Sequence, residues 1–176
     1  GSIRNPSAFT SICGFKPTYG LVSRYGLIDM AMSFDQIGPM AKDVYGVALL
    51  LDIISGKDYK DPISIEKPIN YFVEIIENFK EEILKNLKVV YAKEFLEYVE
   101  EKIKKKFFDV IDYLLSLNLE VREISLPEVK YVVPTYYLLV FSEFSSAMQK
   151  FDGLKFGHRE DLKDLWRTIT ESRKVL

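Results

Sequence analysis

Few residues in this sequence could do chemistry by type and spacing. Ser2 and Arg4 head a forty-residue stretch that is dense in glycine and proline, residues that mark positive or locked backbone angles. A serine hydroxyl has a high pKa and becomes a nucleophile only beside a base, so on residue chemistry alone Ser2 reads as a loop serine. Arg4 is always charged, and its planar fork suits clamping a carboxylate or backbone carbonyls. His158, the sole histidine, has no cysteine or second histidine at metal-ligand spacing and reads as a surface residue, so no metal site is expected. Lys102, Lys104, Lys105 and Lys106 could meet phosphates, but Glu100 and Glu101 precede them on the polar side of a helix, which reads as a solvated face. Asp43, Asp52, Asp58 and Asp61 read as caps and turn residues rather than acid–base pairs. Tyr136 and Tyr137 adjoin an apolar run and read most simply as packed aromatics.

The elements that must position these residues follow from local pattern. Residues 5 to 28 read as short strands and turns, with Pro17 and Gly20 spaced for a type I turn in which Pro17 presets the second position. Val44, Val47, Leu50, Leu51 and Ile54 predict a helix with one buried side, capped by Asp43 and followed by Gly56. Residues 57 to 67 have turn composition. Residues 69 to 84 suggest one or two short amphipathic helices, and 87 to 91 a buried strand. Ile103, Phe107, Val110, Ile111, Leu114 and Leu117 repeat at helical spacing before an extended run over 119 to 124. Strand, helix, strand makes a βαβ unit and hence a parallel or mixed sheet. A further apolar helix is expected from Pro134 through Leu138 to about Met148, then a turn at Phe151-Asp152-Gly153, and a charged helix over 161 to 174.

Composition bounds the function classes. A chain of 176 residues can bury roughly 70% of its extended surface. With 48% apolar and 28% charged residues and a net charge of −2, it is neither disordered nor basic enough to coat nucleic acid. Any RNA must be held mainly by something else. One cysteine, Cys13, forbids an internal disulfide and fits a reducing, cytoplasmic setting. No apolar run of about 18 residues appears, so no membrane partner is expected.

Four runs in fixed order carry more information: Gly1-Ser2-Ile3-Arg4-Asn5-Pro6, Gly14-Phe15-Lys16-Pro17-Thr18-Tyr19-Gly20, Ser23-Arg24-Tyr25-Gly26-Leu27, and Ser33-Phe34-Asp35-Gln36-Ile37-Gly38-Pro39. With Pro134-Thr135-Tyr136-Tyr137 and Phe151-Asp152-Gly153 they strongly resemble the amidase signature family, and within it the A subunits of tRNA-dependent amidotransferases. Phe144, Ala147 and Lys150 depart from the commonest pattern, and Phe144 and Ala147 match an archaeal-like branch.

The resemblance implies an α/β fold with a mixed sheet covered by helices. Residues 1 to 176 would form one partial amidase domain, incomplete at both ends and with no separate second domain. It implies that Ser2 is the acyl-transfer nucleophile and that Gly1 and the Ser2 N–H are what these residues keep of the oxyanion hole. Arg4 would support the site from behind. Tyr136 would contact the amide substrate, while Tyr137 packs inward.

The family's basic lysine and relay serine would lie upstream, and its substrate-binding arginine and aspartate beyond Leu176. These residues alone are therefore expected to be inactive. Glutamine would be hydrolysed, and its ammonia would amidate Asp or Glu on a mischarged tRNA. The implied partners are a kinase-like B subunit that uses ATP and Mg, a small C subunit, and the aminoacyl-tRNA held by the complex; no cofactor is expected in this chain. Two alternatives stay open: a stand-alone hydrolase of other carboxamides, and a non-catalytic assembly subunit.

Overall fold

A computed structural model describes residues 2–80, 82, 84 and 87–175. The chain divides into two units, the first formed by residues 1–15, 39–55 and 67–133 and the second by 16–38, 56–66 and 134–176.

The first unit begins with helix α1 (Arg4–Thr10), where strands and turns were expected. Pro6 is its third residue, in the first turn, where a backbone N–H has no partner within the helix and its loss costs little. The short hydroxyl side chains, which read as turn formers, instead bond back onto the helix: Ser7 Oγ donates to the Ile3 carbonyl at 2.7 Å and Thr10 Oγ1 to that of Pro6 at 2.8 Å. The helix ends on Ser11 in the left-handed region, φ +56°.

Strand β1 (Cys13–Gly14) then pairs antiparallel with β2 (Met40–Ala41), Cys13 opposite Ala41. Helix α2 (Val44–Ile54) has the expected cap, Asp43 Oδ1 accepting from the Gly46 N–H at 2.7 Å, and it buries Val47, Ala48 and Leu51. Asp52, on α2, caps α3 (Tyr71–Glu77) from outside that helix, its carboxylate accepting from the N–H groups of Phe72 at 3.1 Å and Val73 at 2.9 Å and from Lys67 Nζ at 2.9 Å.

The βαβ unit is present. Strand β3 (Lys88–Ala92), helix α4 (Glu101–Ser116) and strand β4 (Glu120–Ile124) follow in order, and the strands pair in parallel from Lys88 opposite Glu120 to Ala92 opposite Ile124. The expected buried strand is half open instead: of β3 only Ala92 is buried, and Val90 is 55% exposed. The reason is coverage. Among the described residues β3 and β4 pair only with one another, and α4 turns its partly covered Phe107, Ile111 and Leu114 to one face, Phe107 meeting Tyr91 edge-on at 5.3 Å.

In the second unit the turn runs from Thr18 to Leu21, with the Leu21 N–H donating to the Thr18 carbonyl at 3.0 Å. Gly20 therefore stands at the third position with φ +86°, which makes a type II turn, not the type I turn expected from Pro17; Pro17 lies ahead of the turn and is buried. Helix α5 (Val132–Met148), whose residues from Pro134 onward belong to this unit, starts two residues before the expected Pro134. As in α1, the proline is tolerated as the third residue of the first turn. Helix α6 (Leu165–Arg173) is capped by Asp164, which accepts from the Arg167 N–H at 2.8 Å, and so begins later than residue 161.

The architecture is α/β as expected, with the antiparallel and parallel pairings divided between two two-stranded sheets among the described residues. None of the described helices is long and apolar enough to cross a membrane.

Candidate functional site

Ser2 stands exposed in the turn that leads into α1. The next residue is tied down: the Ile3 carbonyl accepts from the Ser7 N–H at 3.2 Å and from Ser7 Oγ at 2.7 Å. Ser7 is buried, and behind it runs β1, so close that a Cβ on Gly14 would lie 2.0 Å from Ser7 Oγ. The serine is thus an exposed hydroxyl on a backbone that is fixed one residue later. Arg4, the first residue of α1, is exposed. Gly1, expected to supply an oxyanion donor, lies outside the described residues.

Tyr136 belongs to the second unit and lies on α5. It is 39% exposed, with its ring edge-on to Phe34 at 6.0 Å and to Tyr137 at 5.5 Å. Its hydroxyl carries the only chemistry that distinguishes it from a packing phenylalanine. Tyr137, expected to pack inward, is 51% exposed and stacks on Phe141, one helical turn along, at 5.5 Å. Every residue of α5 from Val132 to Leu139 is exposed, so this stretch of the helix has no buried side for the ring to enter.

Sequence reading had no role for Arg24 or Asp61 beyond a motif and a turn. The structure joins them across 37 positions: Arg24 donates to Asp61 Oδ2 from its backbone N–H at 3.0 Å and from Nε at 3.3 Å, with side chains 17% and 5% exposed. Arg24 Nη1 also donates to the Tyr19 hydroxyl and, at 2.8 Å, to the Met32 carbonyl, which takes a second bond from the Tyr19 hydroxyl at 2.7 Å. The backbone and side-chain bonds from Arg24 outweigh desolvation and hold the Asp61 carboxyl below the usual range. These groups line a cleft of about 350 Å³ together with Tyr25, Asp29, Ser33 and Lys60. Every donor of Arg24 named here is already engaged by the protein, so its role is to brace the loop.

Nearby in the same unit, Glu143 accepts from the Ser33 N–H at 2.9 Å, and Lys150, one of the departures from the family pattern, pairs with Asp29. The one sequence signal for these contacts was that Arg24 and Ser33 fall inside the motif runs.

His158 is exposed and bonds Glu160 at 2.8 Å, and no acidic, histidine and cysteine cluster able to hold a metal occurs among the described residues. Lys102, Lys105 and Lys106 are exposed, Lys106 pairing with Asp109, whereas Lys104, expected on the solvated face, is partly covered on the side of Phe107 and pairs with Glu101. Asp43, Asp52, Asp58 and Asp61 all accept backbone N–H bonds at turns or helix starts.

Comparison with known proteins bears on the family and the fold. The chain is 45% identical over 159 residues to the A subunit of glutamyl-tRNA(Gln) amidotransferase from Methanothermobacter thermautotrophicus, an alignment covering 90% of this chain and 34% of that protein. The corresponding protein of Pediococcus pentosaceus is 43% identical over 98% of this chain and 35% of its own length. The chain therefore spans about a third of the relatives it matches.

Among solved structures, the A subunit of glutamyl-tRNA(Gln) amidotransferase from Thermotoga maritima superposes with a TM-score of 0.73 at 39% identity, over 83% of this chain and 31% of that one. A peptide amidase from Stenotrophomonas maltophilia superposes with a TM-score of 0.72 at 25% identity, over 98% and 35%. With its motif runs in order, its α/β elements matching these structures and the amidase family model aligned over residues 1–176, the chain belongs to the amidase family.

Proposed function

We propose that these residues serve within a glutamine-hydrolysing A subunit of a tRNA-dependent amidotransferase, with Ser2 as nucleophile. The observation that carries this reading is the 45% identity, over nine-tenths of the chain, to a protein named as that subunit. The peptide amidase shares the fold almost equally, but at 25% identity.

Ser2 Oγ attacks the side-chain amide carbon of glutamine while its proton passes to a base supplied from outside these residues. The developing oxyanion takes backbone donors at Gly1 and Ser2, and collapse of the tetrahedral adduct expels ammonia, which carries off a proton. Water then attacks the ester and releases glutamate, restoring the serine. Arg4 braces the turn, and the Tyr136 hydroxyl bonds a polar group of the substrate. The ammonia amidates a carboxyl on the mischarged tRNA in a partner B subunit that uses ATP and Mg, with a small C subunit completing the assembly in the cytoplasm. Without the base, the 176 residues alone are inactive.

The test is ammonia release from glutamine by the full-length protein with its partners. Ser2→Ala is expected to lower it on the order of 10⁴-fold. Tyr136→Phe is expected to lower kcat/KM by about 5- to 150-fold with little change in Tm, since the ring stays and a desolvated substrate group loses its partner. Tyr137→Phe should be nearly silent. Unchanged activity in Ser2→Ala overturns the mechanism, and a Tyr136→Phe enzyme within twofold of wild type removes only the substrate contact.

A further inference from the structure

The structure assigns a positioning role to the packed pair Gly14 and Ser7, which sets where the Ser2 hydroxyl stands. The assignment rests on the reading of Ser2 as nucleophile. Ser2 is exposed and precedes α1, so its placement depends on what holds Ile3. The Ile3 carbonyl takes two bonds, both from Ser7. Ser7 in turn is held by β1: a Cβ at Gly14 would fall 2.0 Å from Ser7 Oγ, 2.7 Å from Ser7 Cβ and 3.2 Å from the Ile3 carbonyl oxygen. Two of these separations lie below 3.0 Å, which real Cβ contacts essentially never show.

A methyl group at position 14 therefore cannot enter without pushing Ser7 and Ile3 together, and the nucleophile moves with them. Gly14 is itself fixed, because β1 is paired with β2, Gly14 opposite Met40. The strand is an anvil for the turn. The hydroxyl bond matters less than the missing Cβ, because the Ser7 N–H keeps the Ile3 carbonyl if the hydroxyl is removed.

The chemistry gives a test by second-site rescue. In the full-length protein with its partners, Gly14→Ala is expected to lower kcat for glutamine by about 10- to 100-fold with KM within twofold, as a displacement near 1 Å of a reacting group does. The rate at which phenylmethanesulfonyl fluoride labels Ser2 should fall in proportion, a readout that does not depend on glutamine being the substrate. Ser7→Gly removes both atoms in the way, so the Ser7→Gly, Gly14→Ala double variant should return to within about threefold of Ser7→Gly in kcat and labelling. Ser7→Ala should stay within about threefold of wild type.

Wild-type kcat in Gly14→Ala overturns the proposal. So does a double variant that melts like Ser7→Gly yet labels more than tenfold more slowly, and this second comparison decides the matter if Gly14→Ala does not fold. If labelling follows the expected pattern while no variant, wild type included, hydrolyses glutamine, the positioning role stands and the glutaminase reading falls.

Discussion

The βαβ unit of residues 88–124 and the looped segments 16–38 and 56–66 hold themselves together by opposite means. The first relies on apolar periodicity and strand register, and it leaves much apolar surface uncovered: Phe95 is 62% exposed, and Tyr98 and Ile103 are also open. The second has little regular structure, yet its charged and hydroxyl groups close on one another, Ser23 on Asp58, Arg24 on Asp61, and Lys57 on the Ser64 carbonyl. Among the described residues no buried side-chain nitrogen or oxygen lacks a partner. Regular elements can thus form from local pattern and still await cover, whereas a loop region has to complete its polar bonding within itself to exist at all.

The largest effect that would break this contrast concerns the open apolar faces. The 176-residue chain by itself is expected to bind a dye for exposed apolar surface, with weak near-UV circular dichroism, because both edges of the β3–β4 pair are unpaired among the described residues and the faces around Val90 and Phe95 are uncovered. A sharp cooperative melt without dye binding would show that the βαβ unit needs no cover.

The remaining measurements belong to the full-length protein. Arg24→Ala should lower Tm by about 5 °C or more, since it takes the guanidinium from Asp61, Tyr19 and Met32 and leaves the Asp61 carboxylate only backbone N–H donors, and Arg24→Lys should not restore it because a lysine lacks the planar fork that reaches all three. A loss below about 1 °C would make the polar lattice ornamental.

Acid should act on the same lattice. Bonds from Arg24 lower the Asp61 pKa, and the bond from the Ser23 hydroxyl lowers that of Asp58. The folded state then binds fewer protons than the unfolded one, so this stability is fully present above about pH 4 and is lost as pH falls through the lower folded values. Urea midpoints at pH 6, 4 and 3 should decline, and Arg24→Ala, which removes the side-chain bond to Asp61 but keeps the backbone one, should flatten that decline in part; equal slopes in both proteins would detach the Arg24 side chain from acid sensitivity.

The smallest effects are in the backbone. Gly20 sits at φ +86°, where a Cβ would lie 2.6 Å from the Ile63 carbonyl oxygen, so Gly20→Ala should cost more than about 1 kcal/mol. Ser11 holds φ +56° without being glycine, so Ser11→Gly should raise stability by up to about 1 kcal/mol. Opposite signs in the two variants are expected by denaturant titration; a destabilised Ser11→Gly would mean that its side chain contributes more than the backbone angle costs.

Sequence determined the helix over 44–54 with its Asp43 cap, the βαβ order and the turn bonds of Asp58 and Asp61, because each depends on local pattern, whereas Asp52 caps a helix about 20 positions away. The motif runs also determined the family and pointed to Ser2, since residue order survives without coordinates. Tertiary structure decided the rest. Pro6 looks like a helix breaker until the helix start is known, and only then does it fall where no N–H is needed. The Arg24 and Asp61 pair spans 37 positions, and Gly14 lies against Ser7 across a strand and a helix; no periodicity records such meetings. Whether an apolar strand is buried depends likewise on what lies over it, which is a property of the packed chain and not of the strand's own residues.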